Sequence, residues 1–177
     1  MFEIWEERLM AFKKIGVKEM PGNIFDLIGD KWMLITGGDE KGYNMMTASW
    51  GGAGILWQKP VTFCFVRPQR HTRGFMDDGQ YYTLTFYGEQ YRDMLYLCGS
   101  KSGKDIDKTK EAGLHPCCAA SGAVYFEEAE LVLVCKKIYY DDIIPEHFLA
   151  PEIAKAYESG DYHRMYVGEI VEVLVKE

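Results

Sequence analysis

The sequence predicts a mainly β protein, an antiparallel β-barrel with peripheral helices, in a single domain spanning residues 1–177. Three observations predict it. Aromatic residues reach 14%, with twelve tyrosines, a composition that pleated strands use well. Roughly six or seven segments read as strands. The short helical segments are inserted among those strands rather than alternating with them, which argues against a doubly wound sheet. The length of 177 residues suits one domain with a full core, and 47% apolar content excludes a disordered chain.

In order along the chain, residues 1–22 are amphipathic and predict a short helix followed by an edge strand, closed by Pro21-Gly22. Ile24–Asp30 predicts one helical turn. Trp32–Thr36 and Tyr43–Ser49 are apolar runs around a Gly/Asp-rich link, Gly37–Gly42, and so predict a hairpin. Gly51-Gly52-Ala53-Gly54 reads as a turn. Val61–Val66 is a strand with Pro60 at its start, where a missing N–H does least harm. Arg70–Asp77 predicts one or two helical turns, and Tyr81–Tyr87 an aromatic, β-branched strand. Tyr91, Met94, Leu95 and Cys98 recur at helical spacing before Gly99, so Glu89–Cys98 predicts a helix. Asp105–Ala112 predicts a shorter one. Leu114–Gly122 reads as a loop, and Val124–Phe126 as a brief pairing segment. Glu130–Tyr140 is the longest strand, with Leu131, Leu133 and Cys135 on one face and Val132 and Val134 on the other. Pro151–Tyr157 predicts a helix with proline at its start, and Tyr166–Val175 a final strand apolar on both faces.

A net charge of -7 argues against nucleic acid as a partner, because phosphate neutralisation needs a surplus of cations. The five cysteines include no C-x-x-C pair, so no zinc site of ordinary spacing is expected. His115-Pro116-Cys117-Cys118 carries metal-binding residue types, with a buried thiol pair as the alternative reading. The acidic start, Met1-Phe2-Glu3-Ile4-Trp5-Glu6-Glu7, lacks the apolar run of a signal peptide. No apolar stretch approaches the ~18 residues of a membrane span. These features set the expectation of a cytoplasmic protein with reduced thiols and no membrane partner.

Two nucleotide signatures fail. Gly52-Ala53-Gly54-Ile55-Leu56-Trp57 has Trp57 where G-x-G-x-x-G requires its third glycine. Gly99-Ser100-Lys101-Ser102-Gly103-Lys104-Asp105 is one residue short of a P-loop and has Asp105 in place of its Ser/Thr. The stretch from Tyr43 to Thr72 is more informative. It brings small residues, Thr47-Ala48-Ser49, to the end of a strand, where backbone can approach the edge of a flat polar ring. About twenty residues later it presents Arg67, Arg70 and Thr72, two guanidinium forks and a hydroxyl suited to a phosphate. An ordinary strand end and a solvated basic turn paired with Asp77 or Asp78 are the structural alternatives.

The sequence resembles the flavin reductase-like family of FMN-binding split barrels, in particular its flavoredoxin-type branch. Four segments, in order, carry the likeness: Asn44-Met45-Met46-Thr47-Ala48-Ser49-Trp50; Lys59-Pro60-Val61 leading to Val66-Arg67-Pro68-Gln69-Arg70-His71-Thr72; Ser102-Gly103-Lys104-Asp105-Ile106-Asp107-Lys108; and His163-Arg164-Met165-Tyr166-Val167-Gly168-Glu169-Ile170. The resemblance implies a six-stranded antiparallel Greek-key barrel with FMN at a homodimer interface. It implies cofactor contacts from Thr47, Ala48, Ser49 and Trp50 toward the ring, and from Arg67, Pro68, Arg70, His71 and Thr72 toward the phosphate. Ser102 and Lys108 are further candidates for the phosphate, and His163 for a catalytic role beside the ring. Trp50 and Trp57 either cover a ring face or fill a core or dimer seam. The activity implied is flavin reduction by NAD(P)H, with hydride passing to flavin N5. An electron carrier served by a redox protein partner and a non-enzymatic ligand-binding barrel are the alternatives. The chain departs from the simpler flavin reductases at Trp50 and the three glycines after it, where serines are usual.

Overall fold

The structure, a computed structural model, describes residues 11–177. Its frame is one coiled antiparallel sheet. The strands are β1 (Phe12–Ile15), β2 (Met33–Asp39), β3 (Gly42–Ala48), β4 (Gly51–Leu56), β5 (Lys59–Val66), β6 (Tyr81–Phe86), β9 (Leu131–Asp142) and β10 (Arg164–Lys176). A separate ribbon pairs β7 (Pro116–Cys118) with β8 (Val124–Phe126). The main order is β3-β2-β6-β9-β10-β5-β4, with β1 added beside the second half of β10. The sheet has eight strands rather than six: β2, β3, β5, β6, β9 and β10 fall where strands were expected, β1 and β4 are added at its edges, and every pairing is antiparallel. The expectation for residues 1–22 is met by β1 where it falls on described residues; its portion in residues 1–10 lies outside them.

The middle of the sheet, β2, β6 and the first half of β9, is buried on both faces, which is why those strands read as nearly continuous apolar runs. Leu131, Leu133 and Cys135 enter a barrel core with Met33, Ile35, Tyr82 and Tyr166. Val132 and Val134 enter a second core between the sheet's outer face, the β7–β8 ribbon and helix α2 (Arg92–Ser100). Helix α1 (Thr72–Asp78) closes one end of the barrel with Met76. Helix α3 (Lys108–Glu111) is a single turn, capped by the Asp107 side chain accepting from the Lys110 N–H. Asp26–Asp30 forms one π-turn and Pro151–Tyr157 a 3-10 helix, at the positions where helical turns were expected.

Three expectations are corrected. Gly51–Gly54 is not a turn but the body of strand β4, paired residue for residue with β5. A Cβ on Gly51 would lie 2.6 Å from the Phe63 carbonyl oxygen, so the close strand approach there requires glycine. The link between β2 and β3 is shorter than Gly37–Gly42, because both strands run on until Asp39 pairs with Gly42. The loop expected over Leu114–Gly122 contains β7.

Candidate functional site

Strand β5 ends in a tight turn, in which the Arg70 N–H donates to the Arg67 carbonyl at 3.1 Å, and the chain re-enters helix at Thr72. Pro68 fixes φ inside this turn, so Arg67 and Arg70 leave it at set angles. Arg70, His71 and Thr72 thereby line one side of a cleft of about 390 Å3. Ser102 and Lys108, from the segment after α2, line the other side. The cleft thus brings together six of the residues singled out from sequence: Arg67, Arg70, His71, Thr72, Ser102 and Lys108.

Lys108 is the deepest cation, 4% exposed. Its Nζ donates to the carbonyls of Met45 (2.9 Å) and Cys98 (2.7 Å), leaving one of three donors for a ligand. Burial pushes its pKa down to about 8; the Cys98 thiol opposes that shift and Arg70 adds to it. Thr72 is equally enclosed, and its Oγ1 accepts from Asn44 Nδ2 at 2.8 Å. Asn44 also backs Gly103, where any Cβ would fall 2.0 Å from Asn44 Oδ1. This buried amide therefore joins the arginine-bearing turn to the Ser102–Lys104 loop. Arg70 Nη1 donates to the Gly99 carbonyl, and burial, followed by repulsion from Arg67, lowers its pKa.

A second cleft of about 290 Å3 adjoins the first, with Ser100 in the wall of both. Thr47, Ala48 and Ser49 form one side, and Trp32, Leu95 and Tyr96 supply apolar surface. Strand β3 is the sheet edge here. Its Met45 carbonyl points to Lys108 and away from β2, and by two-residue alternation the backbone groups of Thr47 face the same way. Thr47 Oγ1 donates to the Leu95 carbonyl, which turns the side chain toward α2 rather than across the cleft. Trp32 holds φ at 70°, a strained value for a bulky residue, with Arg92 stacked 4.2 Å over its ring.

Four of the residues singled out, Pro68, Trp50, His163 and Trp57, do not line either cleft. Pro68 acts through the turn. Trp50 is 48% exposed, with its ring 5.1 Å from that of His163. His163 is buried, and its Nδ1 is 2.9 Å from the Tyr157 hydroxyl. Burial, and then Arg67, push its pKa down to about 4, so it is neutral at pH 7. The folded pKa lies below the ordinary value, so the unfolded chain binds the proton first as pH falls. Stability is therefore expected to be full above about pH 6.5 and to fall between about 6.5 and 4. Urea midpoints across that range should show the loss, and a His163→Gln variant should flatten it. Trp57 packs on Tyr139 instead of either cleft.

Sequence reasoning passed over Asp161, Gln69 and Asn44. Arg67 pairs not with Asp77 or Asp78 but with Asp161, whose Oδ2 lies 2.5 Å from Nη1 and 2.6 Å from Gln69 Nε2. Asp77 is held instead by Arg73, Arg164 and Tyr166. His115 bonds Glu128 at 2.6 Å, and Cys117 beside it is a buried, unbridged thiol. Among the described residues, no group of three or more His, Cys, Asp or Glu could hold a metal, and no helix is long and apolar enough to cross a membrane.

An antiparallel split barrel with a cationic cleft abutting a small-residue strand edge defines the flavin reductase-like class of protein. Residues 26–177 match the family model described as flavin reductase like domain, and the chain belongs to that family of flavoprotein oxidoreductases. Solved structures agree in fold. An FMN-binding domain of a flavin reductase-like enzyme from Shewanella baltica superimposes with a TM-score of 0.68 at 15% identity, covering 93% of this chain and 77% of that one. Flavoredoxin from Methanosarcina acetivorans gives 0.68 at 17%, covering 93% and 76%. Flavoredoxin of Desulfovibrio vulgaris (Miyazaki F) gives 0.65 at 21%, with the same coverage of 93% and 76%. No curated protein sequence matches significantly.

Proposed function

We propose that the chain binds FMN and reduces flavin with NAD(P)H. The observation that carries this reading is the pair of adjoining clefts, one cationic and one bounded by an edge strand, joined at Ser100. Arg70, Thr72, Ser102 and Lys108 have the donors a phosphate monoester needs. The outward backbone groups of Thr47, with Ala48 and Ser49 in the same cleft wall, suit the carbonyls and nitrogens along one edge of a flavin ring. Trp32, Leu95 and Tyr96 offer apolar surface beside that edge. Bound flavin supplies reversible redox chemistry at its ring, tuned by hydrogen bonds to its edge. The protein's task is to fix the ring, leave one face open to the donor and keep water from the other.

Two further parts of the proposal concern partners. The exposed edge strand β4 carries Ile55 and is flanked by Trp50 and Trp57, all three exposed, apolar surface that a second copy of the chain would cover. Sedimentation equilibrium should accordingly give a dimer mass; a monomer at micromolar concentration would reject this. His163, buried against the Tyr157 hydroxyl, lines neither cleft; an electron carrier that draws on a redox protein is the second reading.

The tests are direct. A purified protein with a flavin spectrum would remove the non-enzymatic reading. Anaerobic mixing with NADH and NADPH should bleach the flavin; no bleaching, with reduction by a ferredoxin-like donor, would favour the carrier. Arg70→Ala should weaken FMN binding by about ten- to a hundredfold, since a charge-assisted contact contributes roughly 1.5–3 kcal/mol. An unchanged affinity would remove Arg70 from the phosphate site.

A further inference from the structure

Arg67 is already engaged by the segment that follows β9. Its Nη1 is bonded to Asp161, its Nη2 donates to the Ala156 carbonyl at 3.0 Å, and its guanidinium lies 5.1 Å over the Tyr157 ring. All three contacts come from the segment that connects β9 to β10. Asp161 nevertheless lines the cationic cleft. Its carboxylate is fixed from two sides, by Arg67 and by Gln69, and those bonds hold its pKa below the usual carboxylate range. The cleft is also graded in depth. Thr72 and Lys108 lie at its closed end, whereas the side chains of Arg67 and Asp161 are 24% and 18% exposed at its outer end.

We infer that Asp161 is a specificity-determining residue, admitting a flavin that ends in a phosphate monoester and disfavouring one extended through a diphosphate. The inference rests on the flavin reading above. A terminal phosphate seated against Arg70, Thr72 and Lys108 leaves the outer end of the cleft to solvent. A dinucleotide such as FAD must continue outward from that phosphate, and its second phosphate meets a carboxylate that its own hydrogen bonds keep from swinging away. Arg67 and Asp161 neutralise each other, so the second phosphate meets a pair without net positive charge, and Asp161 thereby cancels the attraction that Arg67 alone would offer. One like-charge contact near a protein surface corresponds to discrimination on the order of tenfold.

The experiment is flavin titration of the full-length protein, stripped of bound flavin, by fluorescence quenching with FMN and with FAD. Asp161→Asn keeps the side chain's shape and an oxygen to accept from Arg67 and Gln69, but removes the charge. The FAD-to-FMN ratio of dissociation constants should fall about tenfold in the variant, through tighter FAD binding, while the FMN affinity stays within about threefold. In the wild type alone, added salt should shrink the same ratio, since the repulsion is screened. A ratio unchanged by the substitution overturns the inference. So does a gain in FMN affinity with the ratio unaltered, because phosphate would then be displacing Asp161 from Arg67. Loss of FMN binding in the variant overturns it too, since Asp161 would then be building the cleft rather than filtering its ligands. A wild type that binds neither flavin sinks the proposed function itself.

Discussion

Replacing Lys108 with methionine is expected to weaken FMN binding by about a hundredfold, the upper part of the range for losing one charge-assisted hydrogen bond. The upper part applies because this ammonium is enclosed, so water cannot substitute for it. Methionine retains the apolar stem but leaves the Met45 and Cys98 carbonyls without their Nζ donor. The fold should therefore lose about 1–3 kcal/mol as well. Affinity and stability are separated by pH. In the free protein the ammonium loses its proton as pH rises through about 8. A phosphate dianion favours the charged form and raises that pKa on binding. FMN affinity should accordingly decline above about pH 8, with proton uptake on binding, and the decline should vanish in Lys108→Met. Titrations from pH 6.5 to 9.5 check this; an alkaline limb that persists in the variant would rule Lys108 out as its source.

Much of this frame was legible because its strands announce themselves. Tyr81–Phe86 and Leu131–Cys135 are built from β-branched and aromatic residues, and the sheet is covered on both faces there, so nothing in tertiary packing contradicts local propensity. Strand β4 was illegible for the opposite reason. Three glycines in its first four positions lower strand propensity, and the turn that follows carries no turn signal. Trp57 and Gln58 both adopt positive φ, at 51° and 61°, where Asn-Gly would be usual. Packing of Trp57 on Tyr139 accompanies this backbone.

The site divides along the same line. Arg70 and Thr72 line one cleft and Thr47–Ser49 the next, and each stood out in the sequence because it lies in a short run whose residue types suit a ligand group. Asp161 was missed because its bond to Arg67 spans 94 positions, and nothing in the residues around it marks a carboxylate facing a cationic cleft. His163 shows the converse. Its residue type suggested proton chemistry, but the Tyr157 hydroxyl and the Trp50 and Phe65 rings enclose it, and enclosure keeps it neutral.

Gly168→Ala should destabilise the fold by about 2–5 kcal/mol, from overpacking together with an orphaned hydroxyl. Gly168 lies on β10 at a register shift, opposite Thr62 on β5 and Lys137 on β9. A Cβ there would stand 2.2 Å from the Tyr82 hydroxyl oxygen, 2.6 Å from Tyr82 Cζ and 2.8 Å from Cys135 Cβ. Tyr82 is fully buried, and its hydroxyl shares a 2.9 Å hydrogen bond with Thr62 Oγ1, which also meets Cys135 Sγ at 3.3 Å. The ring can yield only by giving up that bond or by pushing on strands that are packed on both faces. Either route should lower the urea midpoint without changing the slope, since the surface exposed on unfolding is nearly the same. A double-mutant cycle locates the strain. Tyr82→Phe alone should cost about 1 kcal/mol, the net value of one hydrogen bond. Combined with Gly168→Ala it should cost less than the sum, by about 1 kcal/mol or more, because the closest clash is with the atom it deletes. The remaining contacts with Cζ and Cys135 keep the rescue partial. Strict additivity would mean that the alanine is accommodated by backbone movement in β10, and the glycine would then be serving the register shift rather than the tyrosine.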